Sequence, residues 1–329
     1  MEGVAARPDS SAPLLTVEDL TVHFGTPHGP VRAVAGVSFA LKPGETLGLV
    51  GESGCGKTVS ALSVLRLLPA TARVQGRITF QGEELSAAAE ARMRQVRGDR
   101  IAMVFQEPMT ALNPVLTIGE QVAEGLRLHR GLSHRQAWEE AAQVLSRVGL
   151  PEATRRLSQY PHQLSGGLRQ RAMIAMALAC GLDLLIADEP TTALDVTIQA
   201  QILALLAELK AAMGLAVLFI THNLGIVAQT ADRVAVMYAG LMVEEAPTPE
   251  LFRRPCHPYT QGLLASVPRL DFAHPPRETL ATIRGHLPAE PPQGCLFRDR
   301  CPEARDQCLE PPPWVETRAG HRVRCWNYA

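Results

Sequence analysis

The sequence predicts an α/β fold: a parallel sheet core, an antiparallel β layer, a helical insertion and a small Cys-rich C-terminal appendage. Three observations predict it. Short apolar runs bounded by turn residues recur at 46–50, 184–187 and 216–220, the pattern of strands buried on both faces. Amphipathic helical stretches alternate with these runs. Composition then shifts near Ser266, and the last 64 residues hold 10 of the 25 prolines and four of the seven cysteines. The expected boundaries are a flexible tail at 1–13, a main domain at 14–265 with a helical subdomain at about 107–178, and the appendage at 266–329.

Taken in order, Leu14–Leu20, Val31–Leu41 and Arg77–Gly82 read as strands of the antiparallel layer, and Thr46–Val50 as a buried parallel strand. Between Thr117 and Gly149 the pattern turns helical. Ser133 with Gln136 forms a capping box, Trp138, Ala141, Leu145 and Val148 line one face, and Gly149 stops the helix. Leu184–Ala187 and Ala216–Ile220 are further parallel strands, separated by a long helix through Ile198, Ile202, Leu205 and Leu209. No internal repeat is present.

At 329 residues, with 46% apolar and 20% charged residues, the chain is long enough for roughly two domains and is not a disordered polymer. Lys plus Arg (32) against Asp plus Glu (33) leaves a net charge of −1, so no basic excess advertises nucleic-acid binding. Residues 1–13 lack the apolar core of a signal peptide. The stretch 211–231 is free of Asp, Glu, Lys and Arg, but Thr221, His222, Asn223, Gln229 and two glycines interrupt it. A strand followed by a helix start fits it better than a membrane span. The expectation is a cytosolic chain whose cysteines are thiols or metal ligands before disulfides.

The strongest chemical signal is Gly51-Glu52-Ser53-Gly54-Cys55-Gly56-Lys57-Thr58, placed after one strand and before a helical run. This is a phosphate-binding loop in its required context. The glycines let backbone N–H groups converge on phosphates at a helix N-terminus. Lys57 supplies a point charge for the β- and γ-phosphates, and the Thr58 hydroxyl can hold Mg²⁺. Leu184-Leu185-Ile186-Ala187-Asp188-Glu189 then delivers carboxylates from a buried strand end. Asp188 would orient Mg²⁺ and its water, and Glu189 would polarise the attacking water. Together the two motifs predict an NTPase.

Leu164-Ser165-Gly166-Gly167-Leu168-Arg169-Gln170 closely resembles the signature motif of ATP-binding cassette (ABC) proteins. Ser165, Gly166 and Gly167 open a helix, offering a hydroxyl and N–H groups at its positive end to a γ-phosphate. The resemblance spans about Leu14 to Pro268 and implies an ABC-type nucleotide-binding domain with a RecA-like core. It implies that the signature completes the site of a second ATPase subunit in a head-to-tail dimer. By the same resemblance Gln106 senses Mg²⁺, Ala193-Leu194-Asp195 crosses the dimer interface, His222 contacts the γ-phosphate and Phe24 stacks on adenine.

Tyr160-Pro161-His162-Gln163, Met109-Thr110-Ala111-Leu112-Asn113-Pro114 and the segment 190–197 look like the dipeptide/oligopeptide importer branch. His257-Pro258-Tyr259-Thr260 followed by Gly262-Leu263-Leu264 is similar to the C-terminal extension of that branch. Leu168 replaces the usual methionine and Asn223 the usual aspartate, neither removing a catalytic group. The resemblance implies a peripheral subunit on the cytoplasmic face of the plasma membrane. Its partners would be a paralogous ATPase, two transmembrane permeases and an extracytoplasmic solute-binding protein, with no nucleic acid. A soluble ABC-type ATPase of a multi-enzyme complex, such as one degrading phosphonates, is the alternative.

Cys295, Cys301, Cys308 and Cys325 stand at C-x5-C-x6-C-x16-C spacing. Four thiolates in a reduced compartment can hold an iron–sulfur cluster or Zn²⁺. The spacing lacks the tight knuckle of structural zinc, and the resemblance favours a [4Fe–4S] cluster over zinc, with free thiols as the remaining reading. Cys55 is expected to act only through its backbone, Cys180 to be core, and Cys256 to be at most a spare ligand.

Overall fold

The computed structural model describes residues 12–27, 29–192, 194–267, 282–287 and 292–329. Most of the tail expected at 1–13, and Ala193 of the interface loop, lie outside the described residues. The elements run β1 (Leu15–Thr26), β2 (Gly29–Leu41), β3 (Thr46–Val50), α1 (Lys57–Val64), β4 (Ala72–Phe80), β5 (Glu83–Glu84), α2 (Glu90–Val96) and β6 (Ile101–Val104). Five helices follow: α3 (Pro108–Ala111), α4 (Ile118–Arg130), α5 (His134–Arg147), α6 (Ala153–Arg156) and α7 (Gly166–Leu178). Next come β7 (Leu184–Asp188), α8 (Val196–Met213), β8 (Ala216–Thr221), α9 (Leu224–Thr230), β9 (Arg233–Tyr238) and β10 (Leu241–Pro247). The chain ends with α10 (Thr248–Arg253), α11 (Pro258–Ala265), β11 (Trp314–Arg318) and β12 (His321–Arg324).

These elements form two compact units, Met1–Leu15, Leu41–Glu45 and Phe80–Leu218 in one, and Thr16–Ala40, Thr46–Thr79 and Phe219–Ala329 in the other. In the first, β6 and β7 pair in parallel, with Ile101 opposite Leu184 and Val104 opposite Ala187. All nine residues of these two strands are buried, as their unbroken apolar runs require. Helices α4, α5 and α7 pack together, and Val122, Ala123, Leu126, Ala141, Leu145, Ala172 and Ala175 are buried on them. The predicted capping box is present at α5: Ser133 Oγ accepts from the Gln136 N–H, and Gln136 Oε1 accepts from the Ser133 N–H. A second box, Thr117 with Glu120, opens α4.

In the second unit β3 pairs in parallel with β9, β9 antiparallel with β10, β10 with β12, and β12 with β11. A separate sheet carries the order β2-β1-β4. The core gathers Val50, Val227, Val234, Val236, Tyr238, Leu251, Tyr259 and Phe297. Residues 211–231 form a helix end, β8 and α9 as expected rather than a span. Helix α8 is the described helix long and apolar enough to cross a bilayer, but Asp195 caps it and Glu208 and Lys210 sit in its last turns.

One departure from expectation concerns the C-terminal segment. It is not all loop: β11 and β12 form a hairpin that adds two strands to the sheet beyond β10. Val323 is fully buried there, while Trp314 lies under the guanidinium groups of Arg322 and Arg324 at 4.9 and 5.1 Å.

Candidate functional site

The phosphate-loop sequence forms the expected strand, loop and helix, with β3 feeding residues 51–56 and α1 starting at Lys57. Gly51 and Gly56 are required by geometry. A Cβ on Gly51 would meet the Met237 carbonyl oxygen at 2.2 Å, and one on Gly56 the Ala33 carbonyl oxygen at 2.5 Å, with Gly56 at φ 103. Gly56 is the N-cap of α1 and has no side chain to occupy the N–H groups of the first turn. Lys57 is 5% exposed, and its Nζ donates to the carbonyl oxygens of Gly51 (2.8 Å) and Glu52 (3.0 Å). Ser53, Gly54 and Thr58 face solvent. The Cys55 thiol is buried, and that burial raises its pKa, which fits a role through the backbone alone.

In the other unit β7 ends in Asp188, 3% exposed, and the chain turns sharply at Glu189, which sits at φ 45. A left-handed backbone at a glutamate is uncommon and re-aims the side chain at the strand end. Glu189 Oε2 accepts from Gln106 Nε2 at 3.1 Å and from Thr192 Oγ1 at 2.9 Å. Gln106 follows β6, the strand paired with β7, so sheet register brings residues 83 apart into one cluster.

The signature sequence opens α7. Ser165 is its N-cap, yet its hydroxyl makes no capping bond, and Ser165 and Gly166 are exposed. The positive end of a thirteen-residue helix is thus presented together with a hydroxyl. Asp195 Oδ1 accepts from the Ile198 N–H at 2.9 Å and caps α8. In the second unit, His222 is exposed directly after β8, and Asn223 caps α9 through the Gly225 N–H at 2.9 Å. Asn223 therefore performs the capping that an aspartate would. Phe24 lies half-buried within β1.

A model of the ABC transporter family matches residues 34–192, and one of the oligopeptide/dipeptide transporter C-terminal region matches 243–308. A Sinorhizobium fredii protein is 54% identical over 319 residues, 95% of each chain, and is provisionally named a peptide ABC transporter ATP-binding protein. A Brucella abortus protein is 51% identical over 319 residues, 96% of this chain and 95% of its own, and is provisionally named a peptide import ATP-binding protein. The chain belongs to the ABC transporter ATP-binding family. Among solved structures, a dimeric ATP-binding cassette in a post-hydrolysis state with ADP and Pi matches at TM-score 0.64 and 27% identity, covering 71% of this chain and 98% of that one. This cassette is accordingly an ATPase with the α/β fold that its sequence predicts.

Cys295, Cys301 and Cys325 are partly exposed and Cys308 is buried. The Cys295 N–H donates to the Cys308 carbonyl at 2.9 Å. Burial pushes the Cys295 thiol up to about 11, and Cys308, Cys325 and Cys301 each add to that rise. Burial likewise raises the pKa of the Cys301 and Cys325 thiols.

A different cluster escaped the sequence reading. Glu244 on β10, Cys256 before α11 and His321 on β12 converge, all buried. Glu244 Oε1 accepts from the Cys256 N–H (2.6 Å) and faces His321 Nε2 (2.8 Å), while Oε2 accepts from the His257 N–H (2.9 Å). Its donor types suit a divalent ion, but the carboxylate is already engaged by two backbone N–H groups and an imidazole. That pattern is a structural carboxylate tying α11 and β12 to β10. No short-range motif announces it, because Glu244 and His321 are 77 residues apart.

Proposed function

We propose that this cassette is the ATP-hydrolysing subunit of a membrane importer of peptides or related solutes. The observation that carries the reading is the match to an oligopeptide/dipeptide transporter C-terminal region, in a chain aligned nearly end to end with relatives named for peptide transport. In this reading residues 14–265 are the ATPase domain, about 107–178 its helical subdomain, and 266–329 the C-terminal region. Phe24 stacks on adenine, while Lys57 and the N–H groups of residues 51–58 take the phosphates. Thr58, Gln106 and Asp188 are the side chains that would hold Mg²⁺, which supplies charge neutralisation at the phosphates. Glu189 holds the attacking water, supported by the two hydrogen bonds that orient its carboxylate. His222 meets the γ-phosphate.

Ser165, Gly166, Gly167 and Asp195 act across a head-to-tail dimer with a paralogous ATPase, consistent with the dimeric state of the matching cassette. The segment after β6 supports a permease-facing role, because Phe105, Met109, Val115 and Leu116 are 37%, 52%, 76% and 36% exposed. Two permeases and an extracytoplasmic binding protein complete the transporter, and the chain sits peripherally on the cytoplasmic face of the plasma membrane. Cys295, Cys301, Cys308 and Cys325 would hold a [4Fe–4S] cluster in this reading, with zinc as the lesser alternative; its support is four cysteines in one C-terminal segment, two of them joined by the Cys295 N–H to Cys308 carbonyl bond. Iron and labile sulfide in anaerobically purified protein test that part. The function itself is tested by tagged pull-down from detergent-solubilised membranes. Two multi-span permeases and a second ATPase are expected, and recovery only from the soluble fraction, bound to enzymes, overturns it.

A further inference from the structure

The phosphate loop is fastened from the C-terminal segment through one residue, Glu52. Its carboxylate receives two parallel bonds from Arg300, Nη1 to Oε2 at 2.6 Å and Nη2 to Oε1 at 2.9 Å. Its N–H donates to the Tyr259 hydroxyl at 2.8 Å, and its carbonyl accepts from Lys57 at 3.0 Å. Backbone donor, backbone acceptor and side chain are therefore all committed.

Arg300 is itself immobilised. Its side chain is 7% exposed, and its guanidinium lies 5.7 Å from the centroid of the Tyr238 ring and 6.0 Å from that of Phe297. Nε donates to the Arg284 carbonyl at 2.8 Å, and Nη2 also reaches the Gly285 carbonyl at 3.3 Å. A buried ion pair is costly unless its geometry is near ideal and the remaining donors are satisfied. Here the fork is bidentate, and Tyr238 and Phe297, which flank the guanidinium, pack against each other and against Tyr259. Arg300 also adjoins Cys301, so the clamp is part of the Cys-rich segment.

We propose that Arg300 is a positioning residue for the phosphate loop, and that through it the Cys-rich C-terminal segment sets the affinity of the cassette for ATP. The proposal rests on the reading of residues 51–58 as the ATP phosphate loop. Two physical effects act in the same direction. The clamp holds the loop in one backbone conformation, so less ordering is required when phosphates bind. It also neutralises a carboxylate that would otherwise stand unpaired on the loop that takes a polyanion.

The test measures ATP affinity by equilibrium titration, and KM and kcat for hydrolysis, on the full chain. Arg300→Ala is expected to weaken ATP binding on the order of tenfold, with the loss falling on KM more than on kcat. Arg300→Lys keeps the charge without the fork and is expected to fall between the two. Adding Glu52→Gln to Arg300→Ala is expected to restore part of the affinity by removing the unpaired charge, a rescue that a merely structural role would not produce. Lys57→Ala is the reference for the loop itself. Wild-type affinity in Arg300→Ala while Lys57→Ala loses binding overturns the clamp and leaves the loop reading intact. Wild-type affinity in Lys57→Ala overturns the loop reading instead. If Arg300→Ala does not fold, Arg300→Lys carries the test, and wild-type affinity there overturns the clamp.

Discussion

His257 gives the second unit a built-in sensitivity to acid. The residue caps α11: its Nδ1 accepts from the Tyr259 N–H at 3.0 Å, its ring packs 5.7 Å from that of Phe297, and it is 1% exposed. Burial lowers its pKa from 6.5 to about 4, and the nearby Glu244 carboxylate offsets only part of that. The sign follows from proton binding. Between about pH 6.5 and about pH 4 the unfolded chain binds a proton at this position and the folded chain does not, so stability falls as pH falls through that window. A depression of this size is about 3 kcal/mol. Urea unfolding of the wild type and of His257→Asn, whose Oδ1 can still accept from Tyr259, at several pH values between about 7 and about 4.5 isolates the contribution. The wild type is expected to lose about 3 kcal/mol more than the variant over the acid window. Parallel stability profiles would refute a neutral buried His257.

Three further outcomes are expected. Glu189→Gln keeps acceptors for Gln106 and Thr192 but loses the base, so hydrolysis should fall at least about a hundredfold while ATP binding persists and ATP-occluded dimers accumulate by size-exclusion chromatography. Wild-type turnover in that variant would sink the role. Ser133→Ala removes the α5 cap and should lower stability by about 1 kcal/mol in chemical denaturation, with ATP affinity untouched. Met109→Asp with Val115→Asp places charge on the exposed apolar segment and should abolish co-purification of permeases with little change in Tm; undiminished capture would remove that segment from the docking surface.

What the sequence made legible was local. Residues 51–58 announce themselves because the tight loop needs glycines where a Cβ would strike neighbouring backbone, as at Gly51 and Gly56. The α5 cap was readable for the same reason, since its partners are three residues apart. The strand ending in Asp188 was readable from its apolar run, whereas Gln106 was named only through family resemblance, and its contact with Glu189 depends on the β6–β7 register. The hairpin at 314–324 has a local signal, Val315 and Thr317 then His321 and Val323 alternating with charged residues around an Ala-Gly turn, but it is short and lies in a segment whose proline and cysteine density reads as loop. The pairs Glu52 with Arg300 and Glu244 with His321 join residues 248 and 77 apart, and no spacing rule reaches that far.

Two segments of this cassette obtain their order in opposite ways, and the difference bears on how it works. The phosphate loop is over-determined: Glu52 is held by Arg300, Tyr259 and Lys57, and the aromatic cluster behind them contributes contacts from residues more than 180 positions away. A loop held this way recognises phosphates without first being ordered by them, which favours affinity. Residues 105–111 are less tied down by contrast, and Val115 beyond them is 76% exposed. Helix α3 is four residues long and buries none of them, and the apolar side chains of Met109 and Val115 lie mostly in water. Such a segment gains its remaining stabilisation from whatever covers it, at about 25 cal/mol for each Å² of apolar surface removed from water. Gln106, at the start of that segment, is also the residue bonded to Glu189. In the proposed reading, a partner that buries Met109 and Val115 would act on the segment that carries Gln106, whose amide is bonded to the Glu189 carboxylate.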